Sequence, residues 1–513
     1  MASKVLENIL MRLGKAKFYS VIMDCTSDIS HIEQMSLTVR FVDDSEGQIK
    51  VKEHFVCFKP VDDSTGKGLT ELFINILNEN KIMLEHCRGQ GYDNGANMKG
   101  KHSGFQARIL ALNPRAFVVP CGCHSLNLVV SDAALSSLDS VTLFGLLQRI
   151  YTLFSASTIR WKVLTNNVRN LTVKPLSDTR WESRIDSVKA VRFQVTDIYD
   201  TLMELAQLSK ADAGVRHEAQ SLANQITDFK FLVSLVVWHD ILFQINIVSK
   251  PLQNKSVDIV TATSLMKGCI QFFVAYRDNG FENAIIAAKE MAADLGVEPS
   301  FKEIRIRQRK RQFDYEGRDY LTQTQSPEEK FKRELFYVLV DTAHGSIEER
   351  FGQMKDHEQC WGFLYDLSKL PMDKKTLLEH CTNLHQSLKH GESSDINGMD
   401  LHVELENIRY MLPRGTVTPL PVLQYIHDAN LKNIFPNVWI SLKILLTLPV
   451  TVASGERSFS KLKLIKTYLR STMANERLTS LAILSIENDI GQSLDLSDAV
   501  LQFARAKSRK VTF

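Results

Sequence analysis

The chain has few features that would tie it to an oxidising or membrane compartment. Its eight cysteines are scattered over 513 residues and show no paired spacing, which favours reduced thiols in the cytosol or nucleus. Long apolar runs are missing. Stretches such as Phe231 to Trp238 fall far short of a spanning helix, and the first residues lack the apolar core of a signal peptide, so no membrane partner is expected. Charge of one sign is also scarce. A formal net charge of +3 means that any contact with nucleic acid must come from local patches. What remains, 44% hydrophobic and 24% charged residues, suffices for about two or three domains with sizeable cores.

Phe18 to Asp28, FYSVIMDCTSD, is an apolar, β-branched run that ends in a carboxylate, Asp24. A desolvated acid at the mouth of a buried strand needs a cation or a donor to offset its cost. Met35 to Val42 and Gln48 to Val61 read as two further strands, joined by a DDSEG turn. Thr70 to Leu77 has apolar residues at helical spacing. A short strand from Cys87 then enters a loop rich in glycine and asparagine that carries Asp93. Phe105 to Leu112 is helical, Pro114 stops it, and Ala116 to Val119 is a fifth strand.

Three strands, a helix, a strand, a helix and a strand is the element order of a ribonuclease H-like sheet. In that sheet the first and fourth strands are neighbours and bring their terminal acids together. Two divalent cations that activate an attacking hydroxyl and stabilise a leaving oxygen need such oxygen ligands on rigid elements. Taken alone, the residues leave a plainer reading open, with Asp24 as a strand-end cap and Asp93 as a turn former.

Five motifs in order, DCTSDISHIEQMSLTVRFV, RGQGYDNGANMKGKHSG, PCGCHSLNLVV, SDTRWESR and LPVTVASGERSFSKLKLIKTYLRSTM, resemble the hAT superfamily of DNA transposases, and in particular the transposase-derived region of zinc-finger MYM-type proteins. The resemblance covers nearly the whole chain. It implies an α/β fold: a ribonuclease H-like mixed sheet interrupted by a long all-helical insertion domain. It also implies a catalytic triad of Asp24, Asp93 and Glu456 that binds Mg²⁺ or Mn²⁺ and cleaves and transfers DNA strands. Cys121 and His124 match the family's C-x-x-H motif, which contacts DNA or organises the acids, and Trp181 beside Arg180 matches a tryptophan that stacks on DNA.

The residues around Glu456 support part of this independently. Ser454 is a helix N-cap candidate, and Phe459, Leu462, Leu464, Ile465 and Leu469 supply an apolar face at helical spacing. A helix-terminal acid favoured by the dipole is the plainer alternative. Cys121, Cys123 and His124 are too crowded for a tetrahedral zinc set. A buried thiol and a satisfied histidine would read the same way.

Residues 1–124 are expected to form the first part of the core, 125–433 the insertion, and 434–513 the last part with a hAT dimerisation region. Within the insertion, helices are expected over Leu143–Phe154, Ile185–Leu208, Phe229–Val248, Phe281–Leu295, Glu334–Phe351 and Met399–Met411, with Trp161 in the core. RIRQRKRQ, Arg305 to Gln312, and GESSDIN, Gly391 to Asn397, read as loops, the first with phosphate contact or a nuclear import signal as its functional reading. Arg457, Lys461, Lys463, Lys466 and Arg470 read as a basic face beside the third acid. No Cys/His set precedes Asp24, so the family's N-terminal zinc finger is not expected here. Two readings follow. One is a nuclear, metal-dependent transposase-like protein that contacts DNA and self-associates through its C-terminal region. The other is a non-catalytic, domesticated nuclear protein that binds DNA or protein. The acids alone also admit a ribonuclease H-like nuclease acting on RNA.

Overall fold

The computed structural model describes the chain apart from residues 94, 101–102, 178–181, 209–211, 255–256, 303–325 and 506–513. Trp181, Arg180, the whole RIRQRKRQ run, and the terminal Lys507, Arg509 and Lys510 therefore lie outside the described residues.

The chain divides into two compact units. The first comprises residues 1–125, 251–265 and 350–513, and the second comprises 126–250 and 266–349. Residues 251–265 and 350–433, assigned from sequence to the insertion, thus cluster with the sheet. The reason is visible in the first unit: helix Pro436–Thr447 contacts the sheet and is itself packed by helices Gly398–Met411 and Pro419–Asp428.

Helix α1 (Ala2–Ala16) precedes β1 (Tyr19–Ser27), β2 (Glu33–Asp43) and β3 (Lys50–Pro60). Helix α2 (Gly66–Glu79), β4 (Cys87–Gly91), helix Phe105–Leu112 and β5 (Phe117–Val118) follow. The sheet order is β3-β2-β1-β4-β5. β1–β2 and β2–β3 are antiparallel, whereas β1–β4 and β4–β5 are parallel. This is the ribonuclease H-like mixed sheet expected from the element order.

β2 is buried along nearly its whole length. Helix α1 and helix Pro436–Thr447 both contact it, so the strand needs apolar residues on successive positions and not only on alternate ones. Helix Asn475–Ile486 completes the core. Its Leu478 and Ile483 join the apolar cluster of the sheet, and Thr479 accepts from the Phe58 amide at 3.2 Å. Periodicity alone leaves such residues either in the fold or at a partner's surface. Phe459 stacks on Phe58 with ring centroids 5.6 Å apart, and burial of each such side chain contributes about 1.5–3 kcal/mol.

Within the second unit, no strand occurs among the described residues. Trp238 is fully buried and donates to the Ser140 hydroxyl at 3.0 Å. The expected helix Ile185–Leu208 is broken into Glu182–Arg192 and Val195–Gln207, and the helix expected at Phe281–Leu295 begins at Ile259. Trp161 is only partly buried, edge-on to Tyr151. Once formed, helices Phe229–Leu252 and Ile259–Asp294 are long and apolar enough to cross a membrane. The short apolar runs in the sequence concealed this. In the first of them, 67% of the apolar window is buried inside the protein.

Within the first unit, His357 is buried against Trp361, ring planes 7° apart, with Nδ1 2.9 Å from the Tyr365 hydroxyl. Burial pushes its pKa down to about 3. The neutral ring therefore supports the fold above the ordinary value near 6.5. That support is lost as pH falls toward 3, at about 1.4 kcal/mol per pH unit. Urea unfolding at pH 7 and pH 4.5 is expected to show a shallower acid loss in His357→Gln than in the parent. Equal slopes would show that the ring is already charged in the fold.

Candidate acid site and its supports

The parallel ladder pairs Ile22 with Gly91. Asp24 (22 + 2) and Asp93 (91 + 2) thus follow the last residues paired in this ladder by the same two positions. Asp93 lies just beyond β4, whereas β1 runs on to Ser27 in its pairing with β2, so Asp24 is not the strand end expected from the sequence. Asp24 accepts from the Cys25 amide at 3.0 Å, and Asp93 accepts from the Gly95 amide at 3.2 Å. Asp93 is therefore a turn former as well, and the two readings of it coexist.

The third acid arrives on helix Ala453–Ile465, whose Gly455 lies directly against Asp24. A Cβ on residue 455 would stand 2.7 Å from the Asp24 Cβ and 3.4 Å from its Oδ2. Only glycine permits that approach. Glu456, the next residue, is exposed in the first turn of the helix. Burial raises the Asp24 pKa to about 8, with repulsion from Glu456 and then Asp93 adding to it against the Cys25 hydrogen bond. Both other carboxylates are therefore near enough to be felt at Asp24. Among the described residues, however, no three His, Cys, Asp or Glu side chains stand close enough to hold a metal ion as placed. As a donor set they still fit a hard divalent cation: all are carboxylates, and Asp24 is kept protonated first by burial and then by neighbouring negative charge, which a cation would offset.

Gly455→Ala should push the helix off Asp24. The expected result is a loss of about 1–3 kcal/mol in stability and a fall in Asp24 pKa toward the ordinary carboxylate range, because the displaced helix uncovers the acid and carries Glu456 away from it. Carbonyl-labelled NMR titration of Asp24 would check it, and an unchanged pKa would show that the helix does not press on this acid.

Several groups hold the helix in place. The Cys121 thiol is buried and accepts from the Val452 amide at 3.4 Å, and from the His124 amide at the same distance. The Gly122 amide donates to the Val450 carbonyl at 3.0 Å. Burial pushes the thiol pKa up. Cys121 thus ties residues 121–124 to the loop before Glu456. The expected Ser454 cap is not found. The helix starts two residues earlier, with Val452 at the cap position, and the Ser454 hydroxyl donates to Glu53 instead.

Glu53 in turn pairs with Arg40 at 2.7 Å, both side chains 1% exposed, and Arg40 also donates to the Val257 carbonyl at 2.8 Å. Arg457 donates to the Gln253 carbonyl and to Ser454, both at 2.8 Å. This buried network was not read from sequence. Its one signal there was an arginine within the otherwise apolar and small-polar strand MSLTVRFV.

The expected basic face is divided. Lys461 and Lys463 are exposed. Lys466 is instead buried, its amine 2.6 Å from Asp28, and so is not available to phosphate. Leu464 and Leu469, expected on the apolar face, are 73% and 91% exposed: Leu464 lies on the side of the helix away from the buried Leu462, and Leu469 lies beyond the helix end at Ile465. A cavity of about 620 Å³ in the second unit, with Leu143, Leu146 and Phe231 among its lining, holds none of the predicted site residues.

Residues 1–104 match the ZMYM1/FAM200 RNase-like domain family, and residues 403–490 match the hAT family C-terminal dimerisation region. The chain is 26% identical over 96% of its length to the mouse (Mus musculus) protein named 52 kDa repressor of the inhibitor of the protein kinase. It is 25% identical over 99% of its length to the human (Homo sapiens) protein of the same name. It spans about two thirds of these relatives, 65% and 67% of their lengths. With an RNase-like segment on the acid-bearing sheet and a hAT dimerisation region around the Glu456 helix, the chain is similar to hAT-transposase-derived proteins at both ends of its fold.

Proposed function

We propose that the chain keeps the acid site of a DNA strand-cleaving transposase, with Asp24, Asp93 and Glu456 as ligands for Mg²⁺ or Mn²⁺. The observation that carries this is the seating of Gly455 on Asp24, which brings the helix bearing Glu456 onto a strand whose acid is in matched register with Asp93 on its neighbour. The bound cations would activate the attacking oxygen and stabilise the leaving one in phosphoryl transfer. Asp24 gives up its proton as the cations enter. Cys121, Ser454 and the Arg40–Glu53 pair fix the helix backbone, so that only the Glu456 side chain would have to swing toward the other acids. Lys461 and Arg457 supply positive charge for the phosphate backbone. The dimerisation region supports self-association, and DNA as substrate supports a nuclear location.

The test is incubation of the purified chain with Mn²⁺ and nicked or hairpin-forming duplex DNA, beside Glu456→Gln. Cleavage or joining should fall by at least about a hundredfold in the variant. Equal cleavage by both proteins would remove Glu456 from the chemistry. A second reading, a non-catalytic dimeric nuclear regulator, is favoured by the relatives' name as repressors. It is the outcome if neither protein cleaves while both dimerise.

A further inference from the structure

The segment after the Glu456 helix is exposed in a way that the acid site does not explain. Leu464, Tyr468 and Leu469 are 73%, 82% and 91% exposed. Single exposed apolar residues are ordinary, but a close group of large ones points to an interaction surface. This group sits on a fixed base. Lys466 is buried and paired with the fully buried Asp28 carboxylate at 2.6 Å, and the Ser471 carbonyl accepts from the Ser30 hydroxyl at 2.9 Å. The turn Tyr468–Arg470 is thus fastened on both sides to the turn after β1, the strand of Asp24. That turn also presents Ile29, 52% exposed.

The charge around these side chains is of one sign. From Arg457 to Arg470 the sequence holds Lys461, Lys463 and Lys466 and no carboxylate. Lys461, Lys463 and Arg470 are exposed, while Lys466 is already matched by Asp28. Two copies of this surface face to face would set cation against cation. A polyanion with an apolar interior satisfies both features at once: phosphates for the cations and stacked bases for the prongs.

We propose that Tyr468 and Leu469 wedge between base pairs of a DNA duplex held by Lys461, Lys463 and Arg470, opening the stack close to the acids. The inference rests on the DNA reading of the acid site. Wedges of this kind partly unstack a base step and kink the duplex. They select steps that deform easily, pyrimidine–purine steps and mismatches, without hydrogen bonds to base edges.

The test uses the full chain in EDTA, so that no strand is cut, with duplex oligonucleotides carrying 2-aminopurine, whose fluorescence rises on unstacking. Binding of the parent protein should brighten the probe at least about twofold, most at a mismatched or pyrimidine–purine step. Tyr468→Ala/Leu469→Ala should abolish the rise while duplex affinity, read by anisotropy, falls less than about tenfold. Both side chains are exposed, so the fold should persist. Lys461→Gln/Lys463→Gln should weaken all duplexes alike and reduce the salt dependence by about one unit of slope per lysine.

Duplex bound without brightening overturns the wedge and leaves the acid site standing. Full brightening by the double alanine variant also overturns it, as does loss of a dimer in light scattering with the DNA signal intact, which assigns the prongs to a second copy. Brightening without cleavage once Mn²⁺ is supplied supports the wedge and counts against the acid site alone. No binding of duplex by the parent overturns both.

Discussion

Asp24→Asn should make the cation-free protein more stable and at the same time remove its response to Mn²⁺. Burial, with Glu456 and Asp93 adding, raises this carboxyl from 3.8 to about 8. Because the folded value is the higher one, the group favours the fold fully below pH 3.8, and that contribution is lost as pH rises toward 8. At pH 7 the folded protein must hold a proton that the unfolded chain has released. At about 1.4 kcal/mol per unit, the interval from 3.8 to 7 sets a ceiling of about 4 kcal/mol on this cost. Asparagine carries no charge to bury and can still accept from the Cys25 amide. A gain of about 1–3 kcal/mol at pH 7 and none below pH 4 is expected in thermal or urea unfolding.

The same substitution removes a ligand. In the parent, Mn²⁺ at a hundred times its dissociation constant should stabilise by about 2.7 kcal/mol, with about one proton released per site filled near pH 7 and affinity rising up to pH 8. Calorimetry in buffers of different ionisation enthalpy reads that proton. A lower melting temperature for the variant without metal, or an equal Mn²⁺ shift in both proteins, would sink the account.

Arg40→Met should destabilise the first unit by about 3–5 kcal/mol, since it leaves Glu53 charged and buried with the Ser454 hydroxyl as its closest partner. Much of that should return in Arg40→Met/Glu53→Leu, which removes both charges and fills similar volume. The single variant tests position as well as stability. Glu53 holds Ser454, two residues from Glu456, so the Mn²⁺ shift should shrink in Arg40→Met even at temperatures where the protein stays folded. A double variant no more stable than the single one would show that the cost lies in lost packing of the long arginine side chain.

The sheet could be read from the sequence because its signals are local. Asp24 ends an apolar run, Asp93 sits in a glycine-rich turn, and each strand is bounded by turn residues that break its pattern. Glu456 was legible as a helix-terminal acid, and its tie to the other two came from the resemblance. What could not be read depends on distant partners. Arg40 and Glu53 each resemble a surface charge on a strand until β2 and β3 are paired. Lys466 shares helical spacing with Lys463 and Arg470, and only the outward turn after Ile465 commits it to Asp28. Ser454 has the chemistry of a cap, but the buried carboxylate of Glu53 took its hydroxyl and the helix began two residues sooner. Likewise, nothing local marks residues 251–265 as belonging with the sheet.

The acid-bearing sheet is closed by a helix that lies 432 positions later (456 − 24). At 5–20 residues per second, a ribosome needs roughly 20–90 s to travel between them. For that interval β1, β2 and β3 exist without helix Pro436–Thr447 or helix Asn475–Ile486, and Met35, Leu37, Phe55 and Phe58 lack part of their covering. The nascent protein therefore carries an unfinished, strand-rich surface through most of its synthesis. That favours chaperone capture over early independent folding, and makes the order of synthesis part of how the acids come to meet.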